Sequence, residues 1–316
     1  MSGQMVRGVA NGVLAGAVWG LVFLAPQVLG EFSPFQLSAA RYLAYGAVAM
    51  LLLAPRWRPL VARLGRPEWL SLFRLSLLGN ILYYVLLAAA VQWAGGASAS
   101  LIVGLLPVVL TVVGSREAGA VSFRALAPSM ALCLAGVGLV AFEAFRLDTG
   151  HGDPIFRLLG LACAVGALGS WSAYSVDNAR WLARRPDISS HDWSLLTGVV
   201  TGALALLLAI PAFFPAFWGG ASHAPGEWAR FWGVAAGVAI LASVVGNGLW
   251  NQASRLLPLT LSGQMIVFET LFALLYGFLW SQRWPTGLEV LAIGCLVAGV
   301  LWCASLHRTP QVSPAE

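Results

Sequence analysis

The stretch GVANGVLAGAVWGLVFLAPQVL at residues 8–29 contains no charged residue over its whole length. A helix needs about 20 mostly apolar residues to cross the hydrocarbon core of a bilayer. This stretch therefore predicts a first membrane span. Arg7 is the lone charge before it, and the apolar run is too long for a secretory signal and lacks its small-residue cleavage pattern.

Nine further apolar stretches of similar length follow it along the chain. Backbone groups in lipid must be bonded internally, so spanning segments are helices or closed barrels. The stretches are too long for barrel strands and do not alternate in polarity. We therefore predict an all-α integral membrane protein with ten transmembrane helices. The nine are residues 34–54, 69–91, 97–114, 124–145, 155–177, 193–214, 229–251, 256–280 and 286–306.

The composition supports the same class. Hydrophobic residues make up 59% of the 316 residues and charged residues only 10%, whereas soluble domains carry about 25% charged residues. The four cysteines lie in apolar runs without metal-ligand spacing, so we predict no metal and no cofactor. The predicted partners are the lipid bilayer and a small-molecule substrate, with no nucleic acid; the sequence leaves the oligomeric state open.

The placement of arginine predicts the orientation. All 18 basic residues are arginines. If both termini lie in the cytoplasm, that side holds 13 of them and the opposite side holds four, with Arg41 inside a span. Cytoplasmic loops carry the excess of positive charge. The sequence therefore predicts a plasma membrane protein, in bacteria an inner membrane protein, with both termini in the cytoplasm.

The two halves of the chain repeat one another. Ala135-Gly136-Val137 corresponds to Ala298-Gly299-Val300 at an offset of 163, and Gly79-Asn80 corresponds to Gly246-Asn247 at an offset of 167. Five helices per half would give the halves opposite orientations, as in many secondary transporters. We predict a first repeat at residues 1–150, a second at 151–307 and a cytoplasmic tail at 308–316. Chance similarity in a sequence rich in glycine and alanine is the alternative.

Polar and aromatic residues at corresponding positions predict a central binding cavity. Residues spaced by three and four share one face of a helix. Two such triplets occupy spans 3 and 8, and rings with amides suit a small amphipathic solute. Interfacial aromatic belts and hydrogen bonds between helices are the alternatives. The triplets are Asn80, Tyr83 and Tyr84, and Asn247, Trp250 and Asn251.

Two further sets complete the candidate site. Trp19 in span 1 and Trp171 in span 6 form another symmetric pair, and Tyr174 shares a face with Trp171. Glu269 lies in the middle of span 9, where a charged side chain is costly and usually has a function or a partner. It is predicted to bind a substrate ammonium group or to carry a coupling proton, with a structural ion pair as the alternative. Arg41 has a structural role or binds a substrate carboxylate.

Two expectations concern shape and chemistry. Pro107 lacks an N–H and should bend or break span 4, whereas the corresponding residue of span 9 is Thr270; the bend is therefore not expected to be symmetric between the two spans. The sequence contains no GxSxG, HExxH or P-loop motif. We therefore expect no enzymatic activity.

Three stretches carry a resemblance to a known family. GAVWGLVFLAPQVLGEFSPFQLSAARY at 16–42, ASASLIVGLLPVVLTVVG at 97–114 and ETLFALLYGFLW with LAIGCLVAGVLW from 269 to 302 resemble the EamA-type members of the drug/metabolite transporter superfamily. The resemblance implies ten helices in two inverted repeats of five. The proline usual in the second repeat is Thr270 here, and Gln282-Arg283 stands where an acidic residue is usual.

Within that superfamily the chain looks most like the YddG-type aromatic amino-acid exporters, through Tyr83, Trp171, Tyr174 and Trp250-Asn251. The resemblance implies export of small metabolites, with aromatic or apolar amino acids favoured. The mechanism would be alternating access around the central aromatic cavity. The alternatives are a multidrug or quaternary-ammonium exporter, and a membrane enzyme or receptor without transport.

Overall fold

In a computed structural model the chain is described at residues 3–95, 99, 102–116, 120–147, 154–214, 223–280 and 282–307. Every regular element in these ranges is helical. The first half contains α1 (Gly3–Gly20), α2 (Ala25–Val28), α3 (Pro34–Leu53), α4 (Trp57–Val61), α5 (Arg66–Ser76), α6 (Tyr83–Ala94), α7 (Leu106–Gly114) and α8 (Phe123–Leu147).

The second half contains longer helices and two interrupted ones. They are α9 (Pro154–Arg184), α10 (Ser190–Phe213), α11 (Pro225–Val238), α12 (Asn247–Leu256), α13 (Leu259–Met265), α14 (Val267–Trp280) and α15 (Gly287–Leu306).

Eight helical segments in the described ranges are long and apolar enough to cross a membrane, and Phe123–Leu139 is a shorter apolar stretch. The prediction of an all-α membrane protein is thereby confirmed. The count of ten stays a prediction, because part of the stretch at 97–114 lies outside the described residues.

Local sequence signals explain where the helices begin. At the start of α3 the Ser33 hydroxyl accepts a hydrogen bond from the Gln36 backbone N–H (3.2 Å), and the Gln36 side chain accepts one from the Ser33 N–H (2.8 Å). Thr286 and Glu289 form the same reciprocal pair at α15. Each pair satisfies two backbone N–H groups that the first turn of a helix leaves without partners.

The connection predicted at 178–192 is shorter than expected. Helix α9 continues to Arg184 and α10 begins at Ser190, so only 185–189 lie outside the helices. Arg185 fixes this corner by donating hydrogen bonds to the Asp187 carboxylate (2.8 Å) and to the backbone carbonyl of Arg63 (3.1 Å). The neighbouring guanidinium lowers the pKa of the Asp187 carboxyl to about 2. Helix α9 continues through polar residues beyond its apolar stretch, so a prediction from hydropathy alone ends the helix too early.

The expectation that the bend is not symmetric was wrong, because spans 4 and 9 are both interrupted. Helix α7 begins at Leu106 with Pro107 in its first turn, where a missing N–H costs no hydrogen bond. Span 9 is also interrupted, at Ile266 between α13 and α14. There the Ile266 N–H bonds to the Gly263 carbonyl and the Glu269 N–H to the Ile266 carbonyl, both bridging three residues. A tight turn of this kind needs no proline, so no helix-breaking residue marks its position in the sequence.

Helices from the two halves pack against one another throughout the molecule. The packed pairs are α3 with α10, α8 with α15, α6 with α9, α7 with α13, and α1 with both α12 and α14. In each pair one helix lies before residue 150 and the other after it. The centre of the molecule is therefore lined by both halves.

Glycines allow the closest of these approaches. Gly46 of α3 and Gly202 of α10 face each other, and a Cβ at Gly202 would lie 2.6 Å from the Gly46 Cα. In α1, a Cβ at Gly16 would lie 2.8 Å from the backbone nitrogen of Glu269. Small residues let helix backbones approach closely in a membrane. Helix α1 therefore packs directly against the interruption of span 9.

Candidate functional site

Two π-helical turns lie at the centre of the molecule. One covers Leu77–Leu82 between α5 and α6, and the other covers Ala239–Gly246 between α11 and α12. Such turns contain an extra residue and occur often at functional sites. A Cβ at Gly79 would overlap the Tyr174 ring, and one at Gly246 would lie 2.6 Å from the Trp19 indole nitrogen. Each π-helical turn thus uses a glycine to admit an aromatic ring.

An aromatic cage forms between these turns. We define the cage as Trp19, Tyr83, Trp171, Tyr174 and Trp250. The three tryptophan rings contact one another, with centroid distances of 5.6 Å, 5.4 Å and 5.4 Å. The Tyr83 and Tyr174 rings lie 6.3 Å and 5.7 Å from the Trp171 ring. Trp171 is therefore the ring that contacts all the others.

The cage borders a small, partly open cavity of about 20 Å³. A space of this size holds about one water molecule. Its walls come from both halves of the chain, and a solute larger than water would have to move the rings apart to enter. The lining residues are Trp19, Val22, Arg41, Tyr42, Gly79, Asn80, Tyr83, Trp171, Asn247 and Glu269.

Two opposite charges reach this cavity. Arg41 of α3 is 6% exposed, and its guanidinium lies over the Tyr84 ring (4.4 Å) and the Tyr42 ring (5.1 Å). Its Nε donates a hydrogen bond to the Ser243 hydroxyl (3.1 Å). Glu269 is also 6% exposed and lies in the first turn of α14. The positive end of a helix dipole favours a carboxylate at that position, which helps to explain a buried acid at mid-span.

The amides differ in their surroundings. Asn80 lines the cavity and donates a hydrogen bond from Nδ2 to the Thr201 hydroxyl (3.1 Å). Asn251 accepts a hydrogen bond from Asn178 (2.8 Å), whose own oxygen accepts one from the Trp193 indole (3.0 Å). Asn251 therefore belongs to a network that ties α9, α10 and α12 together, away from the cavity lining.

An ion pair and stacked rings join the α2–α3 connection to α11. Glu31 forms an ion pair with Arg230 of α11. The Phe32 ring stacks on the His223 ring at 4.1 Å and lies 4.3 Å from the Phe231 ring. We call Glu31, Phe32, His223, Arg230 and Phe231 the end cluster. It joins the α2–α3 connection to α11.

Comparison with known proteins places the chain in a family. Residues 6–142 match the EamA-like transporter family. The chain is also 35% identical, over 311 residues, to the inner membrane protein YtfF of Escherichia coli (strain K12), with 94% of each protein covered. The chain belongs to the EamA-like transporter family. A solved structure described as "Crystal structure of protein" covers 95% of this transporter and 97% of its own chain, with a TM-score of 0.69 and 24% identity. That likeness concerns the fold alone.

The structure brings most of the predicted site residues of this EamA-like transporter together. Six of the ten line the cavity: Trp19, Asn80, Tyr83, Trp171, Asn247 and Glu269. The Trp250 and Tyr174 rings belong to the cage through their contacts with the Trp171 ring. Tyr84 supports the Arg41 guanidinium, and Asn251 lies in the network with Asn178.

The sequence reasoning left four lining residues out of the site. The charge of Arg41 inside a membrane span is a sufficient signal to find it. Tyr42 follows it directly, and Gly79 precedes Asn80 in the repeated dipeptide. Val22 had no signal, because an apolar residue in an apolar span looks the same whether it faces lipid or a cavity.

Proposed function

We propose that this EamA-like transporter exports small metabolites, with amino acids, and aromatic or apolar ones in particular, as its substrates. The observation that carries the proposal is the aromatic cage around a central cavity to which both halves contribute. Aromatic rings bury the apolar part of a solute, while Asn80, Asn247 and the charged pair offer polar partners. Transport without enzymatic activity is part of this proposal.

The proposed mechanism is alternating access between two inverted repeats, residues 1–150 and 151–307. Support comes from the pairing of helices across the halves and from the two π-helical turns, which contain the repeated Gly79-Asn80 and Gly246 beside Asn247. The present cavity is too small for an amino acid. Transport therefore requires the cage to open towards one side of the membrane at a time.

A quaternary-ammonium exporter is the second candidate, and one observation favours it. A carboxylate and two tryptophan rings line the same cavity, and such rings attract cations within about 6 Å. Arg41 in the same lining argues against it, because a ligand cation would be desolvated beside a guanidinium of the same sign.

The test is counterflow exchange in liposomes. Purified protein is reconstituted with unlabelled phenylalanine, leucine or tetraethylammonium inside, and uptake of the same labelled compound is followed. We expect the labelled amino acids to enter above the level of protein-free liposomes, with phenylalanine above leucine. Movement of tetraethylammonium alone would favour the second candidate, and no exchange of any amino acid would contradict the proposal.

The proposed orientation places both termini in the cytoplasm of a bacterial inner membrane. The probe positions are Glu227, whose side chain is 44% exposed near the end cluster, and Arg63, which is exposed beside the α9–α10 corner. We expect an impermeant maleimide to label Glu227→Cys in intact cells and to label Arg63→Cys only after lysis, in a chain whose four cysteines are replaced by alanine. Labelling of Arg63→Cys in intact cells, with Glu227→Cys protected, would reverse the orientation.

A further inference from the structure

We infer that the substrate is a zwitterion whose two head groups are held by two different helices, the carboxylate by Arg41 and the ammonium by Glu269. This inference rests on the proposed function and deepens it, because it requires both charged groups of the amino acid to be free. It also adds Arg41 to the residues that determine specificity.

The guanidinium of Arg41 has unused hydrogen-bonding capacity. Its Nε is bonded to Ser243 and its face is covered by tyrosine rings, which fixes its orientation. Its Nη1 is buried and has no hydrogen-bond partner among the described residues. Leaving a buried donor without a partner costs free energy, and a ligand acceptor that bonds to the donor would remove that cost. Guanidinium groups bind carboxylates with strong, charge-assisted hydrogen bonds.

The carboxylate of Glu269 is similarly placed. No hydrogen bond or ion pair within the described residues ends on its side-chain oxygens, although Arg41 is close enough for a long-range attraction. Arg41 belongs to α3 and Glu269 to α14, and both line the cavity that is now the size of one water molecule. When the cage opens, the space between the two charges widens, and a group carrying both signs can bridge it.

A solute with only one charged group would leave the other residue unpaired. An amine without a carboxylate would pair with Glu269 but place a second cation near Arg41. A carboxylic acid without an amine would pair with Arg41 but place a second anion near Glu269. Leaving a buried charge unpaired is strongly unfavourable. Sites built around polar partners reject analogues that lack one of them more strongly than apolar pockets reject a change in size. The pair therefore selects zwitterions over quaternary ammonium compounds.

The test is competition against labelled phenylalanine in counterflow. The competitors are phenylalanine, phenylalaninamide, which keeps the ammonium but has no carboxylate, and N-acetylphenylalanine, which keeps the carboxylate but has no ammonium. For the unmodified protein we expect each blocked analogue to compete about 10- to 100-fold more weakly than phenylalanine, the range expected for losing one charged hydrogen-bonded contact.

Two variants should change this selectivity in opposite ways. Glu269→Gln keeps the shape of the side chain and removes its charge, so the penalty for N-acetylphenylalanine should shrink while that for phenylalaninamide remains. Arg41→Gln should shrink the penalty for phenylalaninamide and leave that for N-acetylphenylalanine. A purely structural role would weaken all three compounds together. If Arg41→Gln does not fold, Ser243→Ala and Arg41→Lys test the same contact with smaller changes.

The outcomes separate the inference from the proposed function. If phenylalanine exchanges but both blocked analogues compete as well as phenylalanine, the zwitterion site is wrong and the amino-acid exporter stands. The same holds if neither charged residue changes the selectivity between the two analogues. If phenylalanine does not exchange at all, the proposed function itself fails.

Discussion

Trp171→Ala should abolish most of the transport of aromatic amino acids. The Trp171 ring contacts every other ring of the cage and lines the cavity. Truncating it removes the central surface against which a substrate ring would pack. A lost aromatic contact of this kind is worth about 1–3 kcal/mol, or roughly a 5- to 150-fold loss of affinity. The measurement is the concentration dependence of phenylalanine exchange in liposomes.

Two controls separate loss of the site from loss of the fold. Removing a buried tryptophan also costs about 3–5 kcal/mol of packing, so thermal unfolding of each variant is followed in detergent. Trp171→Phe keeps a ring and should retain most of the exchange. Trp280, which is 65% exposed at the end of α14, provides the matched change: Trp280→Ala should exchange normally. Normal exchange by Trp171→Ala would remove the cage from the proposed mechanism.

The second large effect concerns the end cluster. If transport requires this end to open, linking its two sides should stop exchange completely. Glu31 and Arg230 already contact each other across the α2–α3 connection and α11. In a chain whose native cysteines are replaced by alanine, Glu31→Cys with Arg230→Cys should exchange phenylalanine until a short bifunctional thiosulfonate joins the thiols. A reducing agent should then restore the rate.

The reversibility and the single variants make this test specific. Each single cysteine variant treated with the same reagent should retain exchange, because it carries the modification but no link. Losing the ion pair alone should have little effect, since exposed pairs are worth about 0–1 kcal/mol. Full exchange by a chain shown by mass spectrometry to be linked would contradict an opening at this end.

Much of the fold followed from hydropathy because spans in lipid obey one strong rule. Every backbone group must be bonded internally, so apolar runs such as residues 8–29 and 286–306 correspond closely to Gly3–Val28 and Gly287–Leu306. The details that depend on hydrogen bonds between distant residues did not follow. Arg185 fixes a short corner where hydropathy predicts a longer loop. The turn at Ile266 is local, but no proline or glycine at that position indicates it.

The site followed from the sequence to the extent that its residues are unusual for lipid. Asparagine, tryptophan at mid-depth and a lone glutamate are costly or rare there, and Trp19, Asn80, Trp171 and Glu269 do meet at one cavity. The placement of Arg41 and Glu269 at the same cavity did not follow, because spacing along one helix says nothing about two residues from helices α3 and α14. Only the packing of α1 against α14 and of α3 beside the π-helical turns brings them together.

Because of the π-helical turns, the length of a helix can change by one residue without a change in how that helix packs against its neighbours. A π-helical turn holds its extra residue locally, so the helix on each side presents the same faces as an uninterrupted helix would. A single-residue deletion within 77–82 would therefore leave the contacts of α5 and α6 with their neighbours in phase, while removing the bulge that brings Gly79 under the Tyr174 ring. The gain or loss of one codon can therefore change the shape of the cavity wall during evolution, while the surrounding helices keep their packing.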